Sequence, residues 1–207
     1  MPEDGTMGLD LPEPSAGAKE FDPSMLKLTL LAQLLLLIPP PHAGFRPAGA
    51  GQNLAPYIAT PEDVVDRMLT LAEVTRQDVV YDLGCGDGRI PIAAARKYGA
   101  RGVGVDVDAK LVAQARANAK AEGVEALVEF RVENAMTTDV SSATVVTLFL
   151  LSSSNEKLKP MLTRQLKPGA RVVSHAFSMG REWPADKVDQ FVSARGDEVT
   201  LYLWRMR

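Results

Sequence analysis

From Thr60 to the C-terminus, apolar positions recur at two periods, and the switches between them mark out the elements. Val64, Val65, Met68, Leu69 and Leu71 fall on one stripe of a helix. Thr60 is expected as its N-cap, Pro61 as its first residue and Asp63 as the acid of a capping-box-like start. Val79-Val80-Tyr81-Asp82-Leu83 reads as a buried strand, and residues 90–95 as a helix with Pro91 in its first turn. Residues 101–106 form a second strand. The Ala-, Lys- and Arg-rich run 109–122 is a helix stopped by Gly123. Residues 127–132 alternate as a third strand. Residues 143–151 are apolar almost throughout, as expected of a strand covered on both faces. A helix over 155–166, closed by Lys167-Pro168-Gly169, precedes a fifth strand at 171–175. Residues 187–192 and 198–205 alternate as an antiparallel hairpin, with Val199, Leu201 and Leu203 on one face and Trp204 as packing. Strands alternating with helices predict an α/β fold, with a doubly wound, mostly parallel sheet and an antiparallel C-terminal hairpin.

The chemistry concentrates where the first strand meets its helix, at Asp82-Leu83-Gly84-Cys85-Gly86-Asp87-Gly88. Gly84, Gly86 and Gly88 let a ligand lie against the main chain. Their G-x-G-x-G spacing departs from the G-x-G-x-x-G of a dinucleotide loop. Asp82 also stands just before the glycines. A carboxylate there repels a pyrophosphate and attracts a cation; at about 4 Å the interaction is roughly 4 kcal/mol at an effective dielectric near 20. Spacing and charge together argue against a nicotinamide dehydrogenase. S-adenosylmethionine, with its ammonium and sulfonium, fits that field. Asp106, eighteen residues after Gly88, ends the second strand where a βαβ unit meets a ribose, and a carboxylate there accepts from both hydroxyls. The alternative for Asp106 is a cap for the next helix, a task Asp108 can take instead.

The segment from Asp82 to Gly88 resembles the cofactor loop of class I S-adenosylmethionine-dependent methyltransferases, and the resemblance runs from about Pro56 to the C-terminus. It is nearest to a small protein-lysine methyltransferase subgroup with archaeal and mitochondrial members. Pro56-Tyr57-Ile58-Ala59-Thr60-Pro61, Val172-Val173-Ser174, Phe177 and Trp183 carry that nearer similarity. The resemblance implies a seven-stranded Rossmann-like sheet, S-adenosylmethionine as cofactor, and cofactor contacts from Asp82, Gly84, Cys85, Gly86, Gly88 and Asp106. It also implies an adenine contact from Asn134, where relatives carry Asp, and a place for Tyr57 over the cofactor and substrate mouth. Asn134 is equally a turn former. Ser152 and Asn155 follow the apolar strand beside the glycine loop and are candidates for touching the substrate; an ordinary loop or helix cap is the competing reading. The Asn/Asp-Pro-Pro-aromatic motif of nucleobase-amine methyltransferases is absent there. His175, at the end of the fifth strand, reads as structural rather than as a base, and no catalytic base is evident. Cys85, inside the loop, is a poor covalent nucleophile.

Composition narrows the partners. Apolar residues make up 46% of the 207-residue chain and charged residues 24%, ordinary for a soluble domain. The net charge is −3, and residues 1–24 hold six acids and one base. The remainder is therefore near neutral, which argues against a nucleic-acid substrate. A single cysteine excludes an internal disulfide and a cysteine zinc cluster. The expected acceptor is a protein lysine. A small-molecule acceptor is one alternative, and a non-catalytic cofactor-binding domain in a membrane-associated assembly is another.

Ahead of the domain (56–207), residues 1–24 read as a disordered acidic stretch and 45–55 as a linker. Residues 25–44 hold an apolar run over 28–38 behind Lys27, with small residues at Ala43-Gly44. Read from Met25, this is signal-like or a membrane anchor over 25–38. It is also compatible with a helix packed on a partner, or with a stretch upstream of the true start. S-adenosylmethionine is a cytosolic metabolite, so a cytoplasmic location is expected, with membrane association through 25–38, or export if 25–43 acts as a signal.

Overall fold

A computed structural model describes residues 58–207. The acidic stretch, the signal-like or anchor segment, the linker and Tyr57 lie outside the described residues. In chain order the domain contains α1 (Glu62–Leu71), β1 (Val79–Leu83), α2 (Arg89–Tyr98), β2 (Arg101–Asp106), α3 (Ala109–Ala121), β3 (Val128–Val132), β4 (Val145–Leu148), α4 (Ser152–Gln165), β5 (Arg171–His175), β6 (Lys187–Val192) and β7 (Glu198–Arg205).

The seven strands form one sheet in the order β3-β2-β1-β4-β5-β7-β6. β1 to β5 run parallel, and β7 pairs antiparallel with both β5 and β6. The chain runs outward through β1, β2 and β3, then returns to place β4 on the other side of β1. The C-terminal ends of β1 and β4 therefore diverge at a topological switch point, where open α/β sheets bind ligands. Every residue of β1 and β4 is buried, which accounts for their apolar character apart from Asp82 and Thr147, which bond to each other.

Two apolar layers cover the sheet. On one face Val64, Met68 and Leu69 of α1 and Ala93 and Ala94 of α2 pack on Val80, Val145, Val173, Val199, Leu201 and Leu203. On the other face Leu158, Met161 and Leu162 of α4 pack on Tyr81, Leu83, Val146, Leu148 and Val172, with Trp204 fully buried among them. The Trp204 indole N–H donates to the Trp183 carbonyl at 2.9 Å, so the two tryptophans close this layer together. A third cluster joins α2 and α3 to Cys85 and Phe130. Gly104 makes that approach possible: a Cβ there would lie 2.6 Å from Phe130 and 2.8 Å from the Cys85 sulfur.

Four local expectations are corrected. Pro61, not Thr60, is the N-cap of α1, and no side chain caps it. Asp63 leaves the helix start to accept from the Ala194 N–H at 2.6 Å, which ties α1 to the β6–β7 turn. Helix α4 begins at Ser152 rather than 155, so the serine run is its first turn and Leu151 the N-cap. The apolar run 143–151 is a strand only over β4, because Thr144 precedes it in a side-chain network and residues 149–151 leave the sheet. Among the described residues no helix is long and apolar enough to cross a membrane.

Candidate active site

The glycine turn between β1 and α2 is held open by its backbone. Gly84, Gly86 and Gly88 all have positive φ. The Gly84 and Cys85 N–H groups both donate to the Val105 carbonyl at 2.9 Å, and the Gly86 N–H donates to the Asp106 carboxylate at 3.0 Å. The turn is thus stitched to the end of β2. A side chain at Gly88 fails twice over, because its φ is +80° and a Cβ would sit 2.6 Å from Phe130 and 2.8 Å from Ala115. The Cys85 side chain packs into the core beneath the turn, and its N–H is already bonded, so only the bare backbone faces a ligand there. Burial and the neighbouring acids push the Cys85 thiol well above its ordinary range, which removes it as a nucleophile.

Asp82 is paired in register with Thr147 across β1 and β4, and the Thr147 hydroxyl donates to it at 2.8 Å. The residue is 4% exposed. Burial raises its pKa to about 7, the Thr147 bond opposes the rise, and Asp106 and Asp87 add to it. Asp106 is half-buried and also accepts from the Asp108 N–H at 3.0 Å, while Asp108 caps α3 through Lys110 N–H, as expected. Each Asp106 oxygen keeps a second acceptor site for a hydroxyl. Asn134 follows β3 in a turn, its side-chain oxygen accepting from Met136 N–H at 2.9 Å, so the turn role is real and one acceptor position is left for an amine. Asn155 is fully buried in the first turn of α4, and Ser152 is half-buried at the start of the same turn. The structure therefore gathers Asp82, the glycine turn and Asp106 at one edge, with Asn134 beyond β2 and Asn155 beyond β4.

Sequence reading missed Arg89. Its guanidinium grips Asp87 with two N–H groups, at 2.9 and 2.6 Å, and donates a third to the Thr60 carbonyl at 2.7 Å. The loop acid and the chain entering α1 are fastened together by one side chain. The signal was a lone Arg directly after Gly88, but its partner at Thr60 is set only by folding. Phe149, His175 and Phe177, which cluster where β4 and β5 end, were also not seen as a group.

Three carboxylates, Asp82, Asp87 and Asp106, thus surround a glycine-rich backbone cradle whose nearby Arg89 is paired. That donor set suits a ligand with positive charge, a bare backbone approach and a ribose, and S-adenosylmethionine has all three features. Residues 82–187 match the model of the ANTKMT methyltransferase domain. The chain belongs to the ANTKMT methyltransferase family. It is 48% identical over 150 residues to a protein-lysine N-methyltransferase of Saccharolobus islandicus, covering 72% of this chain and 92% of that one. It is 30% identical over 133 residues to a human lysine N-methyltransferase named for an ATP synthase component, covering 64% of this chain and 56% of that protein. The structure is also similar to one described as an RNA methyltransferase from Salinibacter ruber in complex with S-adenosylhomocysteine. The TM-score is 0.67 at 55% identity, over 72% of this chain and 94% of that chain. This methyltransferase uses S-adenosylmethionine as its cofactor, on the Rossmann-like α/β sheet that the sequence predicts.

Proposed function

We propose that the methyltransferase transfers methyl groups to the side-chain amine of lysine in protein acceptors. The observation that carries this reading is the likeness, at 48% identity across 92% of its length, to a protein-lysine N-methyltransferase. The charge of the domain supports it. Residues 58–207 contain twenty acidic and twenty basic side chains, and an RNA acceptor favours a basic face. The Salinibacter protein is described as acting on RNA, so RNA is the second reading.

We assign cofactor binding to the glycine turn, Asp82 and Asp106, with Asn134 at the adenine end. When bound, S-adenosylmethionine supplies an electrophilic methyl group on a sulfonium. The chain's own part is placement. Asp82 presents negative charge at the strand end, Asp106 holds hydroxyls, and the Arg89 clamp keeps the segment before α1 against the loop. The acceptor amine must arrive neutral, and the apolar rim after β4 (Phe149, Leu150, Leu151) favours the uncharged form by withholding water. We place the enzyme in the cytoplasm, where its cofactor is made, with residues 25–38 as the membrane-facing candidate; cell fractionation and the mature N-terminal sequence test both.

The full chain, labelled cofactor and a lysate provide the functional test. Label that survives ribonuclease, is lost to protease and maps to lysine by mass spectrometry is expected. Label lost to ribonuclease instead overturns the acceptor assignment in favour of RNA. Label only in small molecules also overturns it.

A further inference from the structure

Among the described residues, two buried side-chain polar atoms have no hydrogen-bond partner: Asn155 Oδ1 and His175 Nδ1. They belong to one corner. The Asn155 amide N–H₂ donates to Ser174 Oγ at 3.1 Å and to the Phe177 carbonyl at 3.0 Å, bracketing His175 on both sides of the chain. His175 is 8% exposed, with its ring centroid 4.0 Å from that of Phe149, and Phe177 lies 6.3 Å from the same phenyl ring. The backbone between them makes a tight turn, in which Phe177 N–H donates to the His175 carbonyl at 2.8 Å and Ala176 takes a φ of +64°. A non-glycine residue in that region costs energy, and such strain persists where the surroundings enforce it. This corner ends β5, one strand from the switch point. Leu148 and Ser174 are partners in register, so Phe149 and His175 stand side by side just past them.

Unsatisfied buried polar atoms call for an explanation. Asn155 Oδ1 is an acceptor, His175 Nδ1 is one in the tautomer that carries its proton on Nε2, and the Phe149 ring beside His175 offers a π-face rather than a donor. The missing counterpart is a group that donates N–H and carries an apolar chain to lie along the phenyl rings, which describes a neutral alkyl amine. We propose that His175 Nδ1 and Asn155 Oδ1, with Phe149 and Phe177 as walls, form the binding site for the acceptor's lysine amine. The inference rests on the lysine reading above and adds its amine subsite. His175 is held neutral by burial, with a pKa of about 4, so its ring accepts a hydrogen bond instead of repelling the incoming amine. The Asn155 amide nitrogen has a separate duty, fixing the start of α4 to the strained turn.

Two substitutions separate an amine-binding role from packing. His175→Asn keeps a hydrogen-bonding atom near the Nδ1 position but loses the ring; His175→Phe keeps the ring but loses the acceptor. The proposal expects His175→Phe to lower kcat/KM for a lysine-containing protein by roughly tenfold or more. His175→Asn should stay within about threefold of wild type, below the loss expected for one missing hydrogen bond. Both variants should bind S-adenosylmethionine within about twofold, since the subsite lies outside the cofactor cradle. The opposite order, with Phe tolerated and Asn damaging, overturns the proposal, as do equal losses in both. A second measurement needs no variant. The full chain, labelled with nitrogen-15 histidine and saturated with S-adenosylhomocysteine, is titrated with n-butylamine. Only His42 and His175 contribute signals. Saturable movement of the His175 Nδ1 resonance supports the subsite, and an unmoved resonance overturns it. Wild type that binds n-butylamine at His175 but methylates no lysine would sink the lysine reading and leave an amine site; wild type that methylates lysine with His175 unmoved would sink the subsite alone.

Discussion

At the residue scale, Asp82 decides what the cradle prefers. Its buried carboxyl titrates near 7, above the ordinary carboxylate range. The direction fixes the pH behaviour. A carboxyl whose folded pKa is raised takes up a proton on folding between about pH 4 and pH 7, so its contribution to the cofactor-free domain is present below about pH 4 and is lost as pH rises through 7. A bound cation reverses the preference and favours the carboxylate. S-adenosylmethionine binding at pH 6.5 should therefore release a proton from Asp82, and affinity should rise with pH up to about 7.5. Calorimetry in buffers of different ionisation enthalpy measures the proton count, and Asp82→Asn should abolish it. Asp106 acts by hydrogen bonding. Asp106→Ala should weaken cofactor binding at least about tenfold, both by removing hydroxyl acceptors and by freeing the Gly86 N–H that anchors the turn.

At the element scale, close approach is what lets short elements hold the site. Helix α2 presses on β2 because Gly102 carries no side chain, where a Cβ would lie 2.8 Å from the Pro91 ring, and Phe130 and Cys85 close on β2 because Gly104 carries none. Gly104→Ala should destabilise the domain by about 1–3 kcal/mol, the range for overpacking, and should loosen the turn through Cys85 and Phe130. Denaturant unfolding measures the first effect and cofactor affinity the second. The helix starts show a related economy. Asp63 and the serines at 152–154 look like caps in sequence, but Asp63 instead fastens α1 to the β6–β7 turn, and the serines are simply the first turn of α4. Local capping propensity lost to partners distant in sequence, which the chain alone does not reveal.

At the scale of the whole molecule, a polar clamp at the end of the sheet opposite the site joins distant segments. Arg171, on β5, pairs with Asp78 before β1 at 3.0 Å and donates to the Ala72 carbonyl at 3.0 Å and the Thr144 carbonyl at 3.3 Å. Burial works against the Asp78 carboxylate, but bonds from Arg171, Thr144 and Thr75 outweigh it and hold the pKa at about 2. That depressed value means the stability it confers is present above about pH 4 and disappears as pH falls toward 2. Arg171→Ala leaves a buried acid with its ion-pair partner gone and should cost about 3 kcal/mol, read as a lower denaturation midpoint with cofactor contacts unchanged. The same substitution should also weaken the acid sensitivity of unfolding between pH 4 and 2.

Much of this molecule is legible along the chain: the succession of strands and helices, the glycine turn with Asp82, and Asp106 at the next strand end. These are local facts, since side-chain periodicity sets each element and turn geometry dictates glycine within a few residues. Folding alone brought β4 beside β1 and inserted β7 between β5 and β6. It also bound Arg89 to Thr60 and placed Asn155 around His175. Those pairings join residues well separated in the chain, and they are selected by burying two opposite apolar faces at once, a condition no single segment contains.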